Sequence, residues 1–189
     1  MFFVPTIIER NANSERVYDL YSCLLKERII IMTGEIDDAM SSSICSQLLY
    51  LSSISEEPIQ MYINSPGGSV SAGLAIYDIM NYIPCDISTI CMGSCASMAA
   101  IILSAGSKEK RCALCNSEIM IHQPMGGMQG QAKDMEIAAL HIASLKDRLY
   151  HILSKHTSQS LTTIQTDCDR DYFMNAKQAL AYGIIDKII

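Results

Sequence analysis

The sequence predicts an α/β fold. Three observations carry that expectation: short apolar runs alternate with segments of helical period, glycine-bearing turns close two of the runs, and no linker-like or low-complexity stretch divides the 189 residues. Strand and helix alternating in this way imply βαβ units with right-handed crossovers. A chain of this length fits one domain and buries about 70% of its unfolded surface, enough to fold without covalent staples.

The elements follow in order. RIIIM at 28–32 reads as a buried strand, and residues 38–52 then carry a helical pattern with Met40, Ile44, Leu48 and Leu49 on one face. IQMYI at 59–63 is a second strand, ended by the turn signal Asn64-Ser65-Pro66-Gly67-Gly68. A helix at about 71–82 follows, with Leu74, Ile76, Tyr77 and Met80 apolar. DISTICM at 86–92 is a third strand, residues 97–105 form a short and very apolar helix, and EIMIH at 118–122 is a fourth strand. Residues 132–155 give the longest helical pattern, in which Met135, Ala138, Ile142, Leu145, Leu149 and Ile152 recur every three or four positions. Such a stripe serves either core packing or a seam between subunits. A helix near 176–182, Gly183 and the short strand IIDKII close the chain.

Composition excludes several function classes. Apolar residues make up 49% and charged residues only 18%, so part of the exterior is expected to be covered by other subunits. A net charge of -6 with no basic run argues against nucleic acid as a partner. No stretch approaches the 18 or so apolar residues of a membrane span, and the opening MFFVPTIIER meets Pro5, Glu9 and Arg10 before a leader core develops. The eight cysteines are therefore expected in a reducing cytoplasm, mostly as small buried hydrophobes. Cys112 and Cys115 form a lone CxxC with neither a second pair nor a histidine at ligand spacing, so no metal is expected there.

Two turns can carry chemistry. Gly67-Gly68 lets backbone N–H groups approach a ligand with no Cβ in the way, although an ordinary turn uses the same residues. The second, MGSCASMAA at 92–100, places Ser97 between a strand's exit and a helix's first turn. Free N–H groups and the positive end of the helix dipole stabilise an anion there. Met98 and Gly68 could supply the two donors of an oxyanion hole. The alternative use of Ser97 is a helix N-cap. The surroundings are not the G-x-S-x-G elbow, so an α/β-hydrolase is not indicated.

A serine hydroxyl needs a base, and the base needs an orienting group. His141, His151 and His156 lie on or at the end of the long helix and read as solvated. His122 ends a buried strand, where α/β folds gather their sites, although a lone histidine at a strand's end is more often structural. Asp167, Asp169 and Asp171 alternate in TDCDRDYF, which puts them on one side of an extended segment. Position alone does not choose between them.

Four segments in order resemble the Clp protease proteolytic subunit across nearly the whole chain: YINSPGG at 62–68, STICMGSCASMAA at 88–100, IMIHQPMGGMQGQAKDMEI at 119–137 and DCDRDYFMNAKQALAYGIID at 167–186. The resemblance implies a serine endopeptidase with Ser97 as nucleophile, His122 as base, Asp171 as orienting carboxylate, Gly68 and Met98 at the oxyanion, and no metal or cofactor. It implies a crotonase-like spiral of ββα units with a protruding handle, a strand at 123–131 and the helix at 132–155. Through the handles two heptameric rings stack as a homo-oligomer around a chamber, and a separate hexameric AAA+ unfoldase threads in unfolded protein substrates, since this chain has no P-loop. Gln123, Pro124, Gly126 and Gly127 are expected to pair with extended substrate, and Tyr62, Tyr82, Ile90, Met92, Leu114 and Ile189 to dock the ATPase. Departures from the family pattern fall at Ser94, Cys95, Ala99, Gln60, Cys112 and Cys115. Two other readings remain: a silent ring subunit completed in mixed rings by an active paralogue, and a crotonase-type acyl-CoA enzyme.

Overall fold

A computed structural model describes residues 4–11 and 14–189; the opening Met1–Phe3, part of the reading that no leader is present, lies outside them. The chain begins with an antiparallel hairpin, β1 (Thr6–Asn11) and β2 (Ser14–Asp19), in which Ile8 faces Val17. Helix α1 (Leu20–Lys26) follows, its first turn capped by Asp19, which accepts the Ser22 N–H at 3.0 Å. None of these three was expected. Among the described residues the hairpin pairs only with itself, and it leaves Ile8 and Val17 more than half exposed, so no one-sided burial pattern marks it in the sequence.

A seven-stranded sheet forms the centre. Parallel strands β3 (Ile29–Thr33), β4 (Ile59–Ser65), β5 (Ile87–Ala96), β6 (Arg111–Ala113) and β9 (Lys187–Ile188) lie in that order. β7 (Glu118–Ile121) runs parallel to the far end of β5 and antiparallel to β8 (Tyr172–Asn175). The helices are α2 (Asp38–Ile54), α3 (Val70–Tyr82), α4 (Met98–Ser104), α5 (Ala132–Thr157), α6 (Leu161–Asp167) and α7 (Ala176–Tyr182). Among the described residues no helix is long and apolar enough to cross a membrane.

The expected α/β alternation is present, with local differences. On α2 the buried stripe is Ser41, Ile44, Leu48 and Leu51, while Leu49 lies a quarter-turn round and is 43% exposed. The third strand runs on past residue 92 to Ala96. Its first half pairs with β6 through Thr89–Cys91 and its second with β7 through Ser94–Ala96, so the extra residues carry the chain to Ser97. β6, β8 and α6 were not expected: β6 has three residues, β8 buries Met174 alone and α6 buries Ile164 alone, so no burial pattern marks them. The closing strand is only Lys187–Ile188, with Ile184 and Ile185 buried before it.

The core joins Ile76 and Met80 of α3, Ala99 and Ile102 of α4, and Met61, Ile63 and Cys91 of the central strands in one buried cluster. Arg111 ties the C-terminus to this body. Its Nε and Nη2 grip both oxygens of Asp186, and its Nη1 donates to the His156 carbonyl at 2.7 Å.

Helix α5 divides along its length. Leu149, Tyr150 and Leu153 are buried, but Met135, Ile137 and Leu140 are 49%, 57% and 66% exposed. Of the stripe itself, Met135 is exposed, Ala138, Ile142, Leu145 and Ile152 are half-buried and Leu149 is buried, so it enters the core only toward its C-terminal end. The preceding segment, 122–131, pairs with no strand among the described residues, where a handle strand was expected. A strand exists only through its ladder, and the single chain offers this segment no partner.

Candidate active site

Sheet register assembles the site. β5 and β7 are parallel with Ala96 opposite Met120, so the next step brings Ser97 beside the exit of β7. β7 and β8 are antiparallel with Ile121 opposite Tyr172, so the next step sets His122 against Asp171. Ser97 Oγ lies 2.8 Å from His122 Nε2, and His122 Nδ1 lies 3.0 Å from Asp171 Oδ1. The His122 side chain is 12% exposed and that of Asp171 57%.

Ser97 has φ 56° and ψ −121°, a conformation that non-glycine residues disfavour. Its N–H donates to the Met120 carbonyl at 2.8 Å, and its carbonyl accepts the Ala100 N–H at 3.0 Å. It stands at the N-cap position of α4 yet makes no side-chain cap bond; the hydroxyl goes to His122 instead. The N-cap alternative for this serine is thereby corrected.

The three aspartates do not share one side of an extended segment. Asp167 ends α6 and accepts the Tyr182 hydroxyl at 2.8 Å, Asp169 accepts the Gln123 Nε2 through its carbonyl at 2.8 Å, and Asp171 meets His122. The turn after α6 breaks the alternation. Of the other histidines, His141 and His151 are exposed as expected, but His156 is not solvated: its Nε2 lies 3.0 Å from the Tyr77 hydroxyl. Burial, and then the charges of Lys155 and Arg111, lower its pKa to about 4.

Gly67 presses against the turn at Ser97, and Gly68 against Ile36. A Cβ at Gly67 (φ +92°) would stand 2.8 Å from Ser97 Cβ and 3.0 Å from Met98 N, and one at Gly68 (φ +151°) would run into the Ile36 carbonyl oxygen. Ile36 bonds to the Gly67 carbonyl and the Ser69 N–H, so backbone alternation turns the Gly68 N–H to the opposite side. Met98 opens α4, where N–H groups have no intrahelical acceptor, and its side chain is packed against Gly73.

Gln123, expected to pair with substrate, is engaged elsewhere. Its N–H donates to the Cys168 carbonyl at 2.6 Å, and its side chain bridges Asp169 and Lys146 Nζ. Pro124 lines both a groove of about 530 Å³ with Gly68, Ser97 and Asp171, and a second of about 620 Å³ with Gly126 and Arg170. Gly127 stands in open space. Of the docking set, Tyr62 lies opposite Ile90, the Leu114 N–H reaches the Cys91 carbonyl next to Met92, and the Ile189 N–H reaches the Ala113 carbonyl. Ile90 itself is 3% exposed and offers almost no surface, and Tyr82 stands 78% exposed at the end of α3. Cys112 is buried in β6, and Cys115 is exposed.

Sequence reading missed Tyr150 and Val70, which line a small recess beside Ser97 and His122. The adjacency of Tyr150 to Leu149 on the inward face of α5 was the available signal.

Compared with known families, residues 12–189 match the model described as Clp protease. The match takes in every element of the main sheet and all seven helices. It carries a proteolytic function of the Clp type and the chemistry of a serine peptidase. The chain belongs to the Clp protease family.

Proposed function

We propose that the chain is a serine endopeptidase whose catalytic triad is Ser97, His122 and Asp171. The single observation that carries this reading is the unbroken hydrogen-bonded line from Ser97 Oγ through the His122 ring to Asp171. Ser97 attacks the peptide carbonyl as His122 Nε2 takes the hydroxyl proton. Asp171 fixes the ring so that Nδ1 carries the other proton. The N–H groups of Gly68 and Met98 receive the oxyanion. His122 then returns its proton to the leaving amine, and water, deprotonated by the same ring, frees the acyl-enzyme. No step requires a metal or cofactor.

In the wider proposal this is one peptidase domain with the crotonase-like spiral, and α5 with residues 123–131 is its handle. The exposed Met135, Ile137 and Leu140 support stacking of two heptameric rings through that handle. The unpaired backbone from Pro124 to Gly127 suits an extended, unfolded substrate joining as an edge strand. The apolar set around Tyr62, Met92, Leu114 and Ile189 suits a hexameric AAA+ partner. Eight free thiols support a reducing, cytoplasmic compartment.

The test is a serine-directed phosphonate with a fluorogenic peptide assay. Labelling at Ser97 and loss of hydrolysis in Ser97→Ala are expected. Unchanged hydrolysis by pure Ser97→Ala protein would overturn the triad.

A further inference from the structure

Glu35 lines the groove at the nucleophile, and its carboxylate has no task in the fold. The next residue, Ile36, is locked to the glycine turn: its N–H donates to the Gly67 carbonyl at 2.8 Å, and its carbonyl accepts the Ser69 N–H at 2.8 Å. Ile36 and Gly68 pair as parallel neighbours, which sets Glu35 abreast of Gly67, the residue that presses on Ser97. Ile36 is fully buried, so alternation turns Glu35 away from the core, and it is exposed. The carboxylate that follows, Asp37, caps α2 by accepting the Met40 N–H at 2.7 Å. Glu35 caps nothing, and among the described residues it makes no hydrogen bond or ion pair.

The groove of about 530 Å³ that Glu35 lines also holds Ser97, His122 and Asp171. Among the described residues no lysine or arginine lines it, and Glu35 and Asp171 are its two carboxylates. Asp171 is engaged by His122 at 3.0 Å, so Glu35 is the unengaged anion. A groove with that balance draws in positive charge and repels negative charge.

The course of an extended substrate puts this charge on one side of the cleaved bond. The acyl half has to stay bound until water reacts, so the edge-strand hold along Pro124–Gly127 serves that half. Beyond Ser97 the chain then continues the other way, past His122 toward Met120, and Met120, Pro66 and Glu35 line the same groove. Glu35 lies about one strand spacing, ~4.8 Å, beyond Gly67, and an extended substrate advances ~3.3 Å per residue. We propose that Glu35 is a specificity-determining residue: it selects lysine or arginine at the first or second position on the leaving side of the cleaved bond. This selectivity rests on Ser97 being the nucleophile, as proposed above. A neutral side chain gains nothing from the carboxylate, and an acidic one is repelled by it and by Asp171.

The test compares kcat/KM for internally quenched peptides identical except for lysine, methionine or glutamate at the first or second position after the bond, with mass spectrometry of the products to identify the bond cut. Methionine matches lysine in length without its charge. The wild type is expected to cleave the lysyl peptide about fivefold faster than the methionyl one, the size of one partly exposed ion pair, and the glutamyl peptide slowest. In 1 M salt the lysyl advantage should shrink toward unity. Glu35→Gln should bring lysyl and methionyl peptides within about twofold of each other, and Glu35→Lys should place the glutamyl peptide ahead of the lysyl. A wild type that cleaves lysyl no faster than methionyl, or a lysyl advantage that survives in both variants, overturns the role of Glu35. A lysine preference confined to the acyl side overturns the side assigned to it. Labelling of Ser97 by the phosphonate together with charge-blind cleavage sinks this inference alone. A wild type that neither labels at Ser97 nor cleaves any peptide sinks the peptidase reading and this inference with it.

Discussion

Ser97 occupies a backbone conformation that serine disfavours, and its surroundings hold it there: the N–H is tied to Met120, the carbonyl to the first turn of α4, and Gly67 packs against its Cβ. The strain turns the hydroxyl away from capping the helix and toward His122. The close approach of Gly67 is essential to that arrangement. In Gly67→Ala the new Cβ would meet the Ala96 carbonyl oxygen at 2.7 Å and Ser97 Cβ at 2.8 Å, and φ +92° adds its own penalty. Steady-state assays should find at least a hundredfold loss of kcat/KM on the order expected for a misplaced nucleophile, with circular dichroism still native. Asp171→Asn tests the orienting carboxylate. It keeps the side-chain shape but favours the wrong tautomer of His122, and kcat should fall by roughly 10³–10⁴-fold. A drop under tenfold would show that the half-exposed Asp171 orients nothing.

At the scale of elements, β5 is the organising strand. By pairing first with β6 and then with β7, it links the β6–β9 end of the sheet to the end that carries Ser97 and His122. Helix α5 joins two environments, and at its C-terminal end His156 is bound to Tyr77 while its carbonyl accepts from Arg111. Because the folded state lowers the His156 pKa from 6.5 to about 4, the unfolded chain takes up the proton first. Stability is then complete above about pH 6.5 and falls as the pH drops toward 4. Asp186 responds lower down. Burial raises its pKa, but the hydrogen bonds and charge of Arg111 more than offset that, so its net shift is downward. Its contribution is lost only below the ordinary value of 3.8. Thermal melts of His156→Gln should show a shallower decline than wild type between pH 6.5 and 4, with the steeper decline below that range kept. Parallel curves would place the acid response elsewhere.

At the scale of the whole molecule, the apolar excess in composition finds its place on the outer two-thirds of α5 and at exposed residues such as Tyr82, Leu114 and Ile189, not in a larger core. Charges placed on that helix should act on assembly and leave the fold intact. In Ile137→Asp combined with Leu140→Asp, light scattering should report loss of the double ring and a particle of about half the wild-type mass, since handles join the rings in the proposed assembly. A wild type that stays at the 20.8 kDa of the single chain over a range of salt and concentration would contradict the handle as an interface.

The sequence by itself determined the α/β alternation and the long helix, and it marked Ser97 and His122 as candidates that the resemblance then selected. Periodicity is local, and a serine at a strand-to-helix junction or a histidine at a strand's end can be read within a few residues. It left Asp167, Asp169 and Asp171 equivalent, and only the resemblance singled out the last. The tertiary structure gave each its own partner, because the register of β7 against β8 is a pairing between segments some fifty residues apart, and no local pattern encodes it. The same holds for Tyr150, Gln123 and His156. Each looks like an ordinary helix or loop residue in the sequence, and each takes its role from what the fold packs against it.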